Sequence, residues 1–268
     1  MSGHGSGKVI LLGEHAVVYG VPAIAAGLSV GATAHTEDGA PSLHVAPWNV
    51  SVRPGEDAPL ALALTALLEA RRSDVHAGER PTDRAVHAVV TLPGSAGLGS
   101  SAAIGVATLR ALDEADGITR DFDRSQAIAL AWERVFHGNP SGIDTALALA
   151  GGLARYRRHH APGERSLEPI ASARPLTLVV GHSGSAGSTK ETVAHVATLR
   201  ARDGEAFARS LEGFTSVVAE GERAVLGGSL DALGACFDRC HTLLAAWGVS
   251  TPTLDAMCTR ARDAGALG

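Results

Sequence analysis

Lysine is almost absent from this sequence. Of 23 basic residues only Lys8 and Lys190 are lysines, and the other 21 are arginines. Arginine serves wherever any positive charge suffices, so the two lysines mark positions where a compact, rotatable ammonium could matter. Biased codon usage is the competing explanation. Cysteine is scarce too, three in 268 residues, which excludes a disulfide framework and points to a cytoplasmic location. The opening MSGHGSGK lacks the charged-then-apolar order of a secretory signal and points the same way. No apolar run approaches the roughly 20 residues of a membrane span, so no membrane partner is expected. The longest basic tract is residues 155–158, within a net charge of −5, which argues against nucleic acid as the main partner.

Two common nucleotide motifs are missing. The N-terminal GSGK is not a Walker A sequence, because Ser2 stands where the first glycine belongs and Val9 follows the lysine. Glycines 94, 97 and 99 run GxxGxG, the reverse of the dinucleotide-binding order.

What remains is a hydrophobic content of 45% and a mean hydropathy of +0.12, the profile of a soluble globular protein with one large domain or two modest ones. KVILL (8–12), AVVY (16–19) and AIAA (23–26) read as short strands broken by Gly13, Gly20 and Pro22, with another strand over 31–36. Residues 59–72 read as an amphipathic helix ending in arginines. Residues 84–92 alternate, with Val86, Ala88, Val90 and Leu92 on one face of a strand. Helices are predicted over 100–115, after Asp123, and over IDTALALAGG (143–152). Strands are predicted over 153–157 and 175–184, with 159–174 as a linker. From Ser188 onward the pattern is helical, with breaks near Asp203, Gly227 and Gly248. Strands followed by helices predict an α+β fold in two lobes, divided as 1–160 and 161–268.

Four places in the chain carry candidate chemistry. LPGSAGLGSSA (92–102) is a strand–glycine loop–helix transition. Such a loop is either a plain flexible connection or an anion nest, in which backbone N–H groups and the helix N-terminus face a phosphate. Ser100 and Ser101 are placed to cap the helix or to ligate Mg²⁺. Glu133 lies among Ala129, Leu130, Phe136 and His137 on its helix, a mostly apolar stripe where a carboxylate needs a metal or a salt bridge. HGNPSGID (137–144) is a turn in which Ser141 and Asp144 have the spacing of a capping box; Asp144 is either a structural cap or a base aimed at a substrate hydroxyl. GSAGSTKE (184–191) ends in a helix start able to grip an anion. In CFDRCH (236–241), Cys236 and Cys240 read as core cysteines rather than metal ligands.

The order of GKVILLGEHAVVYG, PGSAGLGSSAA, ERVFHGNPSGID and STKETV resembles the GHMP small-molecule kinases over about residues 7–196, and within them the branch that phosphorylates mevalonate. Galactokinases would show GEHTDY at the first motif, and homoserine kinases usually lack the aspartate of HGNPSGID. The resemblance implies a mixed sheet/helix N-terminal lobe holding ATP and Mg²⁺, and a helix-rich, ferredoxin-like C-terminal lobe on the substrate side. It implies that Pro93, Gly94, Ser95, Ala96, Gly97, Leu98, Gly99, Ser100 and Ser101 cradle the ATP phosphates. Ser101 and Glu133 would ligate Mg²⁺, and Asp144 with Lys8 would act on the primary hydroxyl of mevalonate. Lys8, Glu14, His15, Asp144 and Thr189 would contact mevalonate. The implied reaction gives 5-phosphomevalonate, the first kinase step of isoprenoid precursor synthesis. A homodimer is the candidate assembly. A sister kinase acting on phosphomevalonate or another hydroxy acid, and a nucleotide-binding pseudokinase, are the alternatives. Two departures stand out: Gly-Ser-Gly-Lys replaces the usual Ala-Pro-Gly-Lys, and no KLTGAGGGG-type motif follows DAGALG, so the second lobe is expected to lack its C-terminal end.

Overall fold

A computed structural model gives the tertiary structure, describing residues 2–94, 96–138, 140–158, 166–184 and 189–268; the side chains of residues 189 and 190 lie outside it. The chain divides into two compact units. One comprises Met1–Val9 and Gly27–Gly152, the other Ile10–Ala26 and Leu153–Gly268. Where composition suggested a contiguous boundary at residue 160, the chain passes to the second unit after Gly152, and residues 10–26 join the later half.

The first unit is a sheet backed by helices. Strand β1 (Ser2–Leu12) pairs with β2 (Ala23–Glu37). On its other side the order within this unit runs β2, β5 (Ala85–Val90), β3 (Ser42–Ala46), β4 (Val50–Val52). β2 and β5 are antiparallel with Ala34 opposite Ala88, while β3 runs parallel to β5 with Leu43 opposite Val86. Val86, Ala88, Val90 and Leu92 are all buried, as their alternation predicts. They pack against Leu64, Leu67 and Leu68 of α1 (Pro59–Ser73) and Ile104, Leu109 and Leu112 of α2 (Ser100–Asp116). Helix α2 is buried on nearly every side from Ala102 to Asp113, the signature of a central helix. α3 (Phe122–His137) and α4 (Ile143–Ala150) pack beside it. The cap of α3 is Asp121 rather than Asp123: its carboxylate accepts the N–H of Arg124 at 2.8 Å.

Arg71 is one of the arginines at the end of α1, where a cation suits the helix dipole. It is 1% exposed, donating to Asp113 at 2.7 Å, to Asp116 at 2.5 Å and to the Thr82 carbonyl at 2.8 Å. A buried guanidinium of this kind is tolerated because its donors are matched by carboxylates and carbonyls.

In the second unit, β6 (Leu153–Tyr156) pairs antiparallel with the start of β2 and with β7 (Leu167–Pro169). Four helices follow: α5 (Thr189–Arg202), α6 (Gly204–Gly227), α7 (Leu230–Ala246) and α8 (Pro252–Asp263). Their core gathers Leu12, Phe207, Phe214, Val217, Cys236, Cys240 and Trp247, so both cysteines of CFDRCH are packing residues, and burial raises the Cys240 thiol pKa.

Four expectations fail for identifiable reasons. AVVY is a 3-10 helix, Ala16–Tyr19, because positive-φ residues His15 and Gly20 turn the chain at both ends. AIAA and 31–36 form the single strand β2, since their partners β6 and β5 pair with successive parts of it. Residues 175–184 form no strand; Val179 is 95% exposed and no described strand pairs there. The linker 159–174 contains β7, and its residues 159–165 lie outside the described chain. β3 and β4 had no sequence assignment.

Candidate active site

The glycine loop is built around Lys8. At the end of the loop Gly97 and Gly99 have φ of +74° and +73°, a region that costs most side chains strain. A Cβ at Gly99 would sit 3.0 Å from the Lys8 Cγ, so a side chain there would also press on the stem of that lysine. The Lys8 N–H donates to the Leu98 carbonyl at 2.9 Å, and its ammonium donates to the Gly97 carbonyl at 3.0 Å. Lys8, 7% exposed, thus clasps the loop from beneath. Gly99 is the N-cap of α2 and offers no side chain to the first-turn N–H groups. The capping role open to the serines is not taken. Ser101 instead donates its hydroxyl to Glu133 Oε1 at 2.6 Å. Ser95 lies outside the described residues. A Cβ at Gly94, at the start of the loop, would sit 3.6 Å from Cζ2 of the Trp48 indole, a neighbour with no signal in the sequence.

Asp144 completes the group. The capping-box reading of Ser141 and Asp144 is overturned: the N-cap of α4 is Gly142, with φ +89° and no side chain to offer, and the Ser141 hydroxyl accepts the Ile143 N–H, at 3.4 Å. Gly142 is held by its carbonyl, which accepts from Gln126 at 2.9 Å and Thr145 at 3.0 Å. That leaves Asp144 in the first turn with its carboxylate 2.8 Å from the Lys8 ammonium. Among the described residues the buried Oδ1 has this ammonium beside it and no further hydrogen-bond donor, so it can still accept one from a hydroxyl. Asn139, in the same turn, lies outside the described residues.

Glu133 is 1% exposed. Its second oxygen lies 3.3 Å from His137 Nε2. The hydrogen bond to Glu133 pushes the His137 pKa up, with the charges of Glu133 and Asp144 acting in the same direction. His137 is a neighbour the sequence offered only as the i+4 position of Glu133. Ser101 and Glu133 supply hard oxygen donors that suit Mg²⁺. Adjacent ligands of an octahedral Mg²⁺ stand about 2.9 Å apart, so the observed 2.6 Å pair needs only a small opening. Among the described residues no three His, Cys, Asp or Glu side chains are gathered for a metal. The donors present fit a cation that takes one or two protein oxygens and completes its shell with phosphate and water.

The family of GHMP kinases N terminal domains matches residues 61–152. A mevalonate kinase of Thermococcus gammatolerans is 32% identical over 281 residues, covering 97% of this chain and 82% of the relative. The chain belongs to the mevalonate kinase family of GHMP kinases. The mevalonate kinase of Aeropyrum pernix is 29% identical over 98% of this chain and 82% of its own length. Among solved GHMP kinases, the L. major mevalonate kinase in complex with R-mevalonate superposes with a TM-score of 0.82 and 30% identity, over 100% of this chain and 82% of that one. No helix among the described residues is long and apolar enough to cross a membrane.

The other family-motif residues lie in the second unit. Glu14 and His15 form a tight turn there. The Ala16 N–H donates to the Glu14 carbonyl at 2.6 Å, and His15 has φ +60° and ψ −42°. This is a positive-φ γ-turn, a rare and strained conformation. His15→Gly is therefore expected to hold or raise the unfolding free energy, by up to about 1 kcal/mol, while weakening catalysis. Chemical denaturation beside a mevalonate saturation curve checks this; a less stable variant with normal kinetics would make the turn purely structural. Thr189 begins α5, and its side chain lies outside the described residues.

Proposed function

We propose that this chain transfers the γ-phosphoryl group of ATP to the primary hydroxyl of mevalonate, giving 5-phosphomevalonate and ADP. The observation that carries the reading is the Lys8–Asp144 pair at 2.8 Å, set under a glycine loop that opens a helix. The first unit supplies the nucleotide groups. Residues 93–101 offer backbone N–H groups and the positive end of α2 to the phosphates. Ser101 and Glu133 would hold Mg²⁺, which would supply positive charge to offset that of the phosphates. By the family resemblance, Glu14, His15 and Thr189 take part in recognition of mevalonate.

Asp144 Oδ1 accepts the proton of the mevalonate primary hydroxyl as the hydroxyl oxygen forms its bond to the γ-phosphorus. The bond from the γ-phosphorus to the bridging oxygen breaks, and its electron pair leaves with ADP. Lys8 holds Asp144 in place and sets a positive charge beside the transferring group. Phosphoryl transfer asks little more of a protein than such positioning and charge placement.

A coupled ADP-release assay over mevalonate, phosphomevalonate and other small hydroxy acids tests the proposal. Mevalonate is expected to give the highest kcat/KM by at least about 10², the discrimination that a site built to pair polar substrate groups achieves. A preference for phosphomevalonate would overturn the substrate assignment, and turnover of none would overturn the activity.

Glu133→Gln is expected to raise the Mg²⁺ concentration for half-maximal activity by about 10-fold, because a neutral amide is a weaker ligand for a hard cation. Titrating activity against Mg²⁺ alongside thermal unfolding decides it. An unchanged midpoint with a large drop in Tm would make Glu133 only the partner of His137.

A further inference from the structure

The motifs leave Trp132 without a role, although it stands next to Glu133 in the sequence. Its side chain is fully buried. Its Nε1–H lies 3.1 Å from the Ser101 carbonyl and 3.1 Å from the Ser101 hydroxyl oxygen. The ring is held in place from two sides. Gly105, one turn beyond Ser101 on α2, leaves room for it: a Cβ there would come within 2.8 Å of the indole Cδ1 and 3.0 Å of Nε1. The Phe136 ring packs against it with centroids 5.9 Å apart. Glycine in the interior of a helix is unfavourable, and here it makes space for the indole to reach Ser101.

The bonding of the Ser101 hydroxyl follows. A serine oxygen has one hydrogen and two lone pairs. The hydrogen goes to Glu133, and one lone pair faces the indole N–H. One lone pair is left for a cation. An indole N–H donates and cannot accept, so it does not compete with Ser101 for the Glu133 carboxylate. A helical serine without such a donor is free to turn its hydroxyl back onto the preceding turn.

We infer that Trp132 is a positioning residue for Mg²⁺: its N–H fixes the rotamer of Ser101 so that the hydroxyl and Glu133 present their oxygens to one cation. The inference rests on the reading of Ser101 and Glu133 as the Mg²⁺ ligands. Groups that orient metal ligands from behind commonly change metal affinity by about 10-fold or more when removed. A tryptophan that only filled space, its N–H satisfied by the Ser101 carbonyl, would change stability and leave metal binding alone.

The test uses the full chain. ADP binding is measured by calorimetry across a Mg²⁺ titration, and Mn²⁺ binding to the ADP complex is followed by electron paramagnetic resonance. Trp132→Phe keeps most of the packing and removes the N–H. Gly105→Ala keeps Trp132 and displaces the ring, which provides an answer if the first variant folds poorly. Ser101→Ala is the reference for losing the ligand itself. Each of the first two variants is expected to raise the Mg²⁺ midpoint about 10-fold and weaken Mn²⁺ binding to match. ADP affinity without metal and the KM for mevalonate should change by less than about twofold, since neither depends on the Ser101 rotamer. If Ser101→Ala moves the midpoint and neither Trp132→Phe nor Gly105→Ala does, the inference fails and the Mg²⁺ ligands stand. If Ser101→Ala moves nothing, both readings fail.

Discussion

Asp144→Asn is expected to lower kcat by at least about 10² while leaving the fold and ATP affinity in place. The size follows from removing a positioned base, whose contribution is typically about 10²–10⁴. The fold should survive because Asp144 does not cap its helix: Gly142 occupies that position, and its carbonyl is held by Gln126 and Thr145. Asparagine keeps the size and can still face the Lys8 ammonium through its carbonyl oxygen, but it cannot take a proton from a hydroxyl. Single-turnover kinetics with saturating ATP and mevalonate separate the chemical step from binding. Normal turnover with a lowered Tm would mean that Asp144 serves only structure.

Lys8→Met should be costlier still, with kcat down by about 10³ and weaker ATP binding. One ammonium does two tasks. It pairs with Asp144 at 2.8 Å, and it donates to the Gly97 carbonyl at 3.0 Å. Methionine fills much of the same space beneath Gly99 and supplies neither interaction. Removing one preorganised donor from a transition state commonly costs about 10²–10³ in kcat, and the loop loses an anchor in addition. Breaking this half-buried pair from one side also leaves the other charge uncompensated, so Tm should fall. In the double variant Lys8→Met, Asp144→Asn the loss in kcat should be much smaller than the product of the two single losses, since the residues act as a unit. Equal kcat for wild type and Lys8→Met would remove Lys8 from the chemistry. Fully multiplicative losses would mean the two act independently.

Hydrophobic period and turn chemistry made much of the architecture legible in the sequence. Alternation placed β5 and its buried face, and runs of small and aliphatic residues placed α1, α2 and α4 close to their observed ends. The order of four short motifs carried the family, because each fixes a residue type at a spacing that chance seldom repeats. These signals are local: a few neighbouring residues suffice to read them. Tertiary structure decided what depends on partners distant in the chain. A strand exists only where another strand completes its ladder, so 175–184 stays irregular for all its apolar residues, while β3 forms beside β5 and β4 beside β3. Whether Asp144 capped its helix or faced a cation turned on Lys8, 136 positions earlier in the chain, whose ammonium reaches it. Whether Ser101 capped a helix or served Glu133 turned on the packing of α3 along α2. Trp132 and Gly105 gained their relation to Ser101 the same way. Sequence fixes the chemistry each side chain brings; packing decides which side chains meet.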